Sequence, residues 1–298
     1  MAQELKHDEW VGTTYGGGRM HRWLIKILRV TDPRIVYAFS NLFVVPVVMV
    51  AHSEARRHTT RFFRQRFGMG ALRALWMTYR NHCQFSQVVI DRFAMYAGRR
   101  FKVEIEGYYN FLKLSKSPEA FVQLSSHIGN YELAGYTLVA EDKRFNAVVF
   151  ANEKESVMKN RERMFARANI RMIPVKPDMS HLFTIDSAIN DGEIISMPAD
   201  RVFGSPKSFL LPFMGEEARF PQGAFMLAAA KHIPMLFVAV MKERFDRYRI
   251  HVTPLPAPQQ ATVRKQAEEL ARSFAALLEQ TVKRYPTQWY NYYDFWAK

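Results

Sequence analysis

The sequence contains almost no cysteine and lacks the short motifs that mark several large classes of enzyme. Its single cysteine, Cys83, excludes an internal disulfide and any metal site built from several cysteines, and this usage fits a reducing compartment. No Gly-x-Ser-x-Gly segment presents a serine nucleophile, and neither Ser125 nor Ser126 resembles one. A glycine-rich phosphate loop and a dinucleotide fingerprint are also missing. We therefore expect no cofactor, no bound metal and no serine nucleophile.

Acidic residues are scarce relative to basic ones. The chain has 42 Lys and Arg against 28 Asp and Glu, which gives a formal charge of +14 and predicts acidic partners. Nucleic acid, anionic lipid and an acidic carrier protein all qualify. The 15 Met and the 14% aromatic content favour a lipid-contacting surface, and no helix-turn-helix or zinc-finger spacing supports nucleic-acid binding. A basic protein that needs no such partner is the remaining alternative.

The N-terminal quarter of the chain has the pattern of a membrane-associating region. Its first twenty residues lack the apolar core and cleavage site of a signal peptide. Residues 19–30 form an amphipathic helix pattern, and residues 35–51 contain no charge, at the lower limit of length for a bilayer span. A basic segment, residues 56–66, follows. We predict a tail and membrane-associating helices over residues 1–67, attached either peripherally or by a single anchor, with a buried helical hairpin as the alternative.

The rest of the chain, residues 68–298, alternates strand and helix patterns after one long helix at residues 71–98. This alternation predicts an α/β domain with a mixed, largely parallel central sheet flanked by helices. The predicted strands lie at residues 101–108, 121–124, 144–152, 171–175, 193–197, 235–243 and 247–255. Five helices are predicted. One begins after residue 130, one follows a turn at residues 221–223, and the others cover residues 153–168, 181–191 and 261–285.

The segment FVQLSSHIGNYELAG, residues 121–135, presents a histidine between a strand end and a helix start. Asn130 is placed as the N-cap of that helix, and Glu132 lies in its first turn. His127 is able to act as a base, and a carboxylate on its second ring nitrogen fixes the tautomer. Chance alone supplies roughly one His-x4-acid spacing in such a chain. We interpret the second occurrence, His181 and Asp186, as a helix surface, since five residues along a helix point apart.

The segment SSHIGNYELAG resembles the His-x4-acid motif of the lysophospholipid acyltransferase superfamily, in the branch that includes the bacterial lipid A late acyltransferases. Four further segments stand in the order of that branch and together are far more specific than any one alone. They are GEIISMPADRVFG (192–204), LPFMGEEARFPQGAFMLA (211–228), HIPMLFVAVMKE (232–243) and the aromatic QWYNYYDFW (288–296). The likeness covers nearly the whole chain, from about Trp10 to Trp296.

This resemblance implies an acyltransferase that moves a fatty acyl chain from an acyl thioester to a hydroxyl of a lipid or glycolipid such as a lipid A precursor. The donor is acyl carrier protein or coenzyme A, and both remain open. A phospholipid or an amino-acid lipid is the alternative acceptor, and a basic membrane scaffold is the alternative without catalysis. Anionic membrane lipids are expected partners and nucleic acid is not. The implied location is the cytoplasmic face of the bacterial inner membrane.

The predicted site combines His127 as general base with two carboxylates that compete to orient it. Glu132 belongs to the motif, whereas Asp200 follows a neighbouring strand and matches the acid of a later block. We favour Glu132 slightly, and we expect the other carboxylate to hold a cation such as Arg201. Backbone amides at the start of the helix after Asn130 are expected to meet the oxyanion. Further candidates for substrate binding, in part through phosphate, are Asn130, Arg161, Arg163, Arg201 and Lys207.

Overall fold

The computed structural model describes residues 18–150, 169–176, 178–202 and 207–296 of the chain. The predicted helix over residues 153–168, with Arg161 and Arg163, lies outside the described residues. The division into units at residues 67 and 68 stays a prediction.

Five helices precede the first strand, and the first and fifth correspond to the helices predicted at residues 19–30 and 71–98. They are α1 (Gly18–Val30), α2 (Pro33–Phe39), α3 (Val45–Ala51), α4 (Ser53–Arg66) and α5 (Ala71–Tyr96). Asp32 caps α2, since its side chain accepts a hydrogen bond of 2.9 Å from the backbone N–H of Arg34, and Pro33 occupies the first turn. A five-residue π-helical stretch, Ser40–Val44, joins α2 to α3, so that Pro33–Ala51 forms one continuous rod.

A seven-stranded sheet forms the centre of the molecule. Its strands are β1 (Lys102–Glu106), β2 (Phe121–Ser125), β3 (Phe145–Phe150), β4 (Ile170–Val175), β5 (Ile194–Pro198), β8 (Met235–Arg244) and β9 (Arg247–Pro254). The spatial order is β1-β9-β8-β2-β5-β3-β4. All neighbouring strands are parallel except β8 and β9, which form an antiparallel pair. The predicted fold class, a mixed and largely parallel α/β sheet flanked by helices, is confirmed.

Both faces of the sheet are covered, which is why its central strands are mostly apolar on both faces. In β2 every residue is buried, and alternate side chains point to opposite faces. Val122 and Leu124 contact the cluster that includes α9 (Gly223–Lys231) and α10 (Val263–Arg284). Phe121 contacts the cluster on the other face, with side chains of α6 (Tyr108–Ser115) and α7 (Tyr131–Thr137).

Two local features differ from the sequence prediction. An antiparallel hairpin of β6 (Ser208–Phe213) and β7 (Glu216–Pro221) precedes α9, where only a turn is predicted. In α8 (His181–Asn190), the sequence pattern predicts four buried side chains, those of Leu182, Phe183, Ile185 and Ile189. Ile185 and Ile189 are buried, but Leu182 and Phe183 are 44% and 80% exposed. The apolar stripe of α8 is therefore narrower than its sequence indicates, because only Ile185, Ala188 and Ile189 are buried.

Candidate active site

The sheet brings two polar segments together at the carboxyl ends of adjacent strands. β2 and β5 are parallel neighbours whose registered ends are Ser125 and Pro198. The ladder continues one step further, because the backbone N–H of Ala199 donates to the carbonyl of Ser125 at 3.0 Å. His127 and Asp200 each follow two residues after their strand, so parallel register delivers them to the same place. The prediction that His127 and Asp200 follow neighbouring strands is confirmed, whereas their catalytic roles stay predictions.

Asp200 holds His127 by two hydrogen bonds. Its Oδ1 lies 2.8 Å from the ring Nδ1, and its Oδ2 accepts from the backbone N–H of His127 at 2.8 Å. Asp200 is 1% exposed, whereas the side chain of His127 is 24% exposed. Since an ionised carboxylate only accepts, the hydrogen of the neutral ring belongs on Nδ1. The lone pair then lies on Nε2, as a general base requires.

The charges around this pair keep the imidazole neutral and the carboxyl ionised. The pKa of His127 is lowered, first by burial and then by the positive charge of Arg201, and Asp200 opposes both effects. Burial by itself raises the pKa of Asp200, but the charge and hydrogen bonds of His127 and the charge of Arg201 together outweigh burial, and the net direction is down. A neutral histidine beside an ionised carboxylate is the protonation state that base catalysis near neutral pH needs.

Glu132 does not orient His127, so the preference for this motif carboxylate is wrong. Its side chain points toward α5, where Oε2 lies 2.8 Å from Nε of Arg92 in a buried ion pair. The hydroxyl of Tyr96 donates to Oε1 at 2.7 Å, and that of Tyr136 donates to the same atom at 3.1 Å. α7 begins at Tyr131, which turns the following side chain away from the loop and onto α5. Glu132 therefore anchors the helix that follows the histidine.

The second carboxylate does hold a cation, as expected, and that cation is Arg92, whereas Arg201 is the expected example. Arg201 extends toward the C-terminal segment, where its Nη2 donates to the carbonyl of Tyr290 at 2.6 Å. Its guanidinium also lies over the ring of Tyr293, 5.6 Å from the centroid. Arg201 thus remains close enough for its charge to act on His127 and Asp200. Its position is fixed by Tyr290 and Tyr293.

The C-terminal segment pairs directly with the loop that carries His127, a relationship that the sequence analysis missed. The backbone N–H of Tyr290 donates to the carbonyl of His127 at 2.9 Å, and that of Gly129 donates to the carbonyl of Gln288 at 2.8 Å. Ile128 and Trp289 form the bridge between these bonds. The aromatic composition of QWYNYYDFW is the one available signal, but composition does not reveal the backbone partner.

Gly129 allows the loop to lie against β8. Its φ is +58°, and a Cβ there would lie 1.9 Å from the carbonyl oxygen of Val240. The next amide, that of Asn130, donates to this same carbonyl at 2.8 Å. A side chain at position 129 would therefore break the contact that fixes the loop.

Asn130 occupies the N-cap position of α7 as predicted, but its side chain makes no capping hydrogen bond. The residue is 1% exposed, and its role in substrate binding stays a prediction. The backbone amides of Asn130 and Leu133 donate to Val240 and to Asn130 itself. These two amides are therefore occupied by protein carbonyls, and the expectation that amides at this helix start meet the oxyanion stays a prediction.

Two further sequence predictions concern Lys207 and the second His-x4-acid spacing. Lys207 is exposed and precedes β6, and its backbone carbonyl accepts from Gln222 at 3.3 Å. In α8, His181 and Asp186 do not meet: Nδ1 of His181 accepts from the backbone of Lys176 at 3.2 Å, and Asp186 pairs with Lys231 at 2.5 Å. The interpretation of this second His-x4-acid spacing as a helix surface is confirmed.

Among the described residues, no group of three or more His, Cys, Asp and Glu side chains is arranged to hold a metal ion.

A known protein family matches the part of the chain that contains the site. The family model described as bacterial lipid A biosynthesis acyltransferase matches residues 92–296, a range that includes His127, Asp200 and the C-terminal segment. No curated protein matches the chain. Among solved structures, the chain is similar to the 1-acyl-sn-glycerophosphate (LPA) acyltransferase PlsC from Thermotoga maritima, with 13% identity and a TM-score of 0.42, over 92% of this chain and 99% of that one.

Proposed function

The chain belongs to the bacterial lipid A biosynthesis acyltransferase family, and on that premise we propose that it transfers a fatty acyl chain from a thioester to a hydroxyl of a lipid acceptor, with His127 as the general base. The observation that supports this role is the 2.8 Å contact between Nδ1 of His127 and Asp200, which directs the basic Nε2 outward. The family match favours this enzyme over the basic membrane scaffold considered from sequence.

The proposed reaction is a direct transfer without an acyl-enzyme intermediate. Nε2 of His127 removes the proton of the acceptor hydroxyl as that oxygen attacks the thioester carbonyl. The tetrahedral oxyanion then collapses, the carbon–sulfur bond breaks, and the imidazolium returns its proton to the departing thiolate. The products are an acyl ester and a free thiol. Asp200 stabilises the imidazolium during the step and keeps the ring in one orientation.

We assign Arg201 two electrostatic roles in this scheme. Its charge lowers the pKa of His127, so the base is neutral at physiological pH. The same charge stabilises the negative charge that develops on the carbonyl oxygen. This stabilisation is large where water is excluded. The hydrogen bond to the carbonyl of Tyr290 fixes the guanidinium before substrate arrives, so that no reorganisation is needed during the reaction.

We propose a lipid A precursor as the acceptor and acyl carrier protein or coenzyme A as the donor. The test supplies purified protein with laurate and palmitate thioesters of each carrier, and with a phosphorylated glucosamine disaccharide lipid, a lysophospholipid and a hydroxyacyl amino-acid lipid as acceptors. Ester formation on one acceptor, lost in His127→Ala, supports the proposal. Ester formation that persists undiminished in His127→Ala contradicts the role of the histidine, and transfer to the other acceptors alone contradicts the lipid A assignment.

We also propose shallow attachment to the membrane through the rod Pro33–Ala51. Within the described residues, this 19-residue stretch is the one helix long and apolar enough to cross a membrane. One side of it packs on α5, where the hydroxyl of Tyr79 donates to the carbonyl of Asn41 at 3.0 Å. The other side is exposed, at 58–73% for Ile35, Phe39, Leu42, Phe43, Val47 and Val50.

The position of α5 favours a rod that lies in the plane of the membrane. A rod that crossed the bilayer would take the packed part of α5 with it, including the exposed Arg80. A charged side chain at that depth costs at least about 2.5 kcal/mol. An in-plane orientation buries only the outward apolar side chains in lipid and leaves α5 against the sheet domain.

A further inference from the structure

A buried carboxylate on α5 lies outside the proposed reaction. Asp91 is fully buried and accepts hydrogen bonds from three donors: Nζ of Lys242, the hydroxyl of Tyr37 and the hydroxyl of Tyr248. Nζ of Lys242 also lies 3.1 Å from the hydroxyl of Tyr37 and 4.4 Å from the centroid of its ring. These four residues, here called the Asp91 cluster, join α2, α5, β8 and β9.

The Asp91 cluster is a costly way to obtain stability alone. The side chains of Lys242 and Asp91 are 3% and 0% exposed. Burial raises the pKa of Asp91 and lowers that of Lys242, so both shifts express the desolvation of charge. Apolar residues of similar volume often replace a buried ion pair without loss of stability. Such a pair instead fixes the relative positions of the elements that it joins, which here are α2, α5, β8 and β9.

The cluster is connected to the loop of His127 by a short chain of hydrogen bonds. The backbone N–H of Lys242 donates to Oε1 of Gln288 at 2.9 Å, and its carbonyl accepts from Nε2 of Gln288 at 2.7 Å. The carbonyl of Gln288 in turn accepts from the backbone N–H of Gly129. Two residues before Lys242, the carbonyl of Val240 accepts from the amide of Asn130. The end of β8 that carries Lys242 is therefore the surface on which the loop rests.

The residue after Asp91 holds the far side of the same loop. Arg92 pairs with Glu132 at 2.8 Å in the first turn of α7. Two consecutive residues of α5 thus reach the two elements that border the loop, β8 and α7. A shift of α5 would move both supports of His127 together.

Tyr37 connects this arrangement to the rod Pro33–Ala51. It is the side chain of α2 that reaches Asp91, whereas Ile35 and Phe39 beside it are 63% and 58% exposed. We propose that Tyr37, Asp91 and Lys242 are positioning residues, which set the His127 loop according to how α2 is docked on α5. The inference rests on the proposed role of His127 and extends that role to the membrane-facing helix.

The test compares two hydroxyl deletions in the same helix contact. Tyr37→Phe removes one donor from Asp91, while Ser40→Ala removes a hydroxyl that lies 2.5 Å from Ser86 and outside the cluster. Hydrogen exchange of a peptide covering residues 127–131 reports the amides of Gly129 and Asn130, whatever the chemistry of His127. We expect Tyr37→Phe to accelerate this exchange about tenfold and Ser40→Ala to leave it unchanged. Equal exchange in the two variants would overturn the inference.

Kinetic measurements distinguish misplacement of His127 from a general loss of protein stability. We expect kcat of Tyr37→Phe to fall about tenfold with KM unchanged, because misplacement of the base affects the chemical step. The double variant with Asp91→Asn should lose no more than Asp91→Asn alone, since both act through one contact. Additive losses contradict the chain of contacts. If Tyr37→Phe melts early, Tyr248→Phe removes another donor from the same carboxylate and must show the same exchange effect.

The two proposals fail in distinguishable ways. Faster exchange of the loop in Tyr37→Phe, together with full activity in His127→Ala, keeps the positioning of the loop and rejects the histidine as base. Unchanged exchange in Tyr37→Phe, together with an inactive His127→Ala, rejects the positioning of the loop and keeps the histidine as base.

Discussion

Asp200 accepts hydrogen bonds from both the ring Nδ1 and the backbone N–H of His127, each at 2.8 Å. One carboxylate therefore fixes the side chain and the main chain of the same residue. This double attachment restricts the ring more than a contact to Nδ1 alone, because the loop cannot move without breaking the second bond. Asp200 thus positions His127, whereas Glu132 pairs with Arg92 of α5.

Asp200→Asn should abolish most of the activity while Glu132→Gln should be milder. An amide at position 200 can present an N–H to Nδ1 and favours the wrong tautomer, which costs on the order of 10⁴ in kcat in a comparable triad. Glu132→Gln weakens the ion pair with Arg92 and should lower the melting temperature more than kcat. The measurement is kcat and melting temperature for both variants. A larger loss of kcat in Glu132→Gln would reverse the assignment.

His127→Ala should eliminate acyl transfer without unfolding the protein. The side chain is 24% exposed at the end of a strand, so its removal leaves no large cavity, but no other base replaces Nε2. His181→Ala is the matched control, since His181 lies on α8 away from the site and should retain wild-type rates. Turnover with a thioester donor in detergent gives the comparison. Activity of His127→Ala within a few-fold of wild type would exclude the base mechanism.

The acid limb of the pH profile should lie below the ordinary histidine value of about 6.5. The pKa of His127 is lowered, so the ring stays neutral, and active, down to a lower pH than usual. Replacing Arg201 with Gln removes a charge that lowers this pKa, and the limb should move to higher pH. Arg201→Lys keeps the charge and should leave the limb near its original position. The profile of kcat/KM reports the free enzyme. A limb that does not move in Arg201→Gln would contradict the assigned coupling.

Membrane binding should depend on the exposed side of the rod Pro33–Ala51. Phe43→Glu and Val47→Glu place charges where the side chains are 61% and 66% exposed, so folding should be unaffected and binding weakened. Tyr109→Glu, at a 74% exposed position on α6, is the control. Sedimentation with vesicles containing anionic lipid, at low and high salt, provides the measurement, because salt screens the basic contribution. Undiminished binding by both rod variants at high salt would rule out this surface.

The substitutions are preferable to deletion of the N-terminal helices. Leu28 and Tyr37 belong to one buried cluster with Ile90 and Phe93 of α5, so deletion would expose apolar surface and promote aggregation. Loss of solubility would then be mistaken for membrane attachment.

The sequence predicts those parts of the fold and site that depend on local pattern. Alternating strands and helices lead to the parallel sheet, and parallel register places His127 beside Asp200. The role of Glu132 is not predictable in this way, because it depends on the direction of one side chain in the first turn of α7. Its partner, Arg92, lies within a long helix whose pattern indicates only which face is buried.

The contacts of longest sequence separation are the least predictable. Asp91 and Lys242 meet only because α5 lies across the end of β8, and neither sequence segment carries a signal of the other. The same is true of Gln288, whose side chain bonds the backbone of Lys242 and whose carbonyl receives Gly129. A single sequence contains the residues of such a network but not their pairing.

The pairing of Tyr290 with His127 has a consequence for the order of events during synthesis. Domains form from the N-terminal side as the chain leaves the ribosome. The rod Pro33–Ala51 emerges early and is available to lipid, whereas residues 288–290 emerge only after the whole sheet. The loop of His127 therefore lacks its backbone partner until residues 288–290 have been synthesised. On the proposed mechanism, a nascent chain that ends before these residues would be inert even if its rod had already reached lipid.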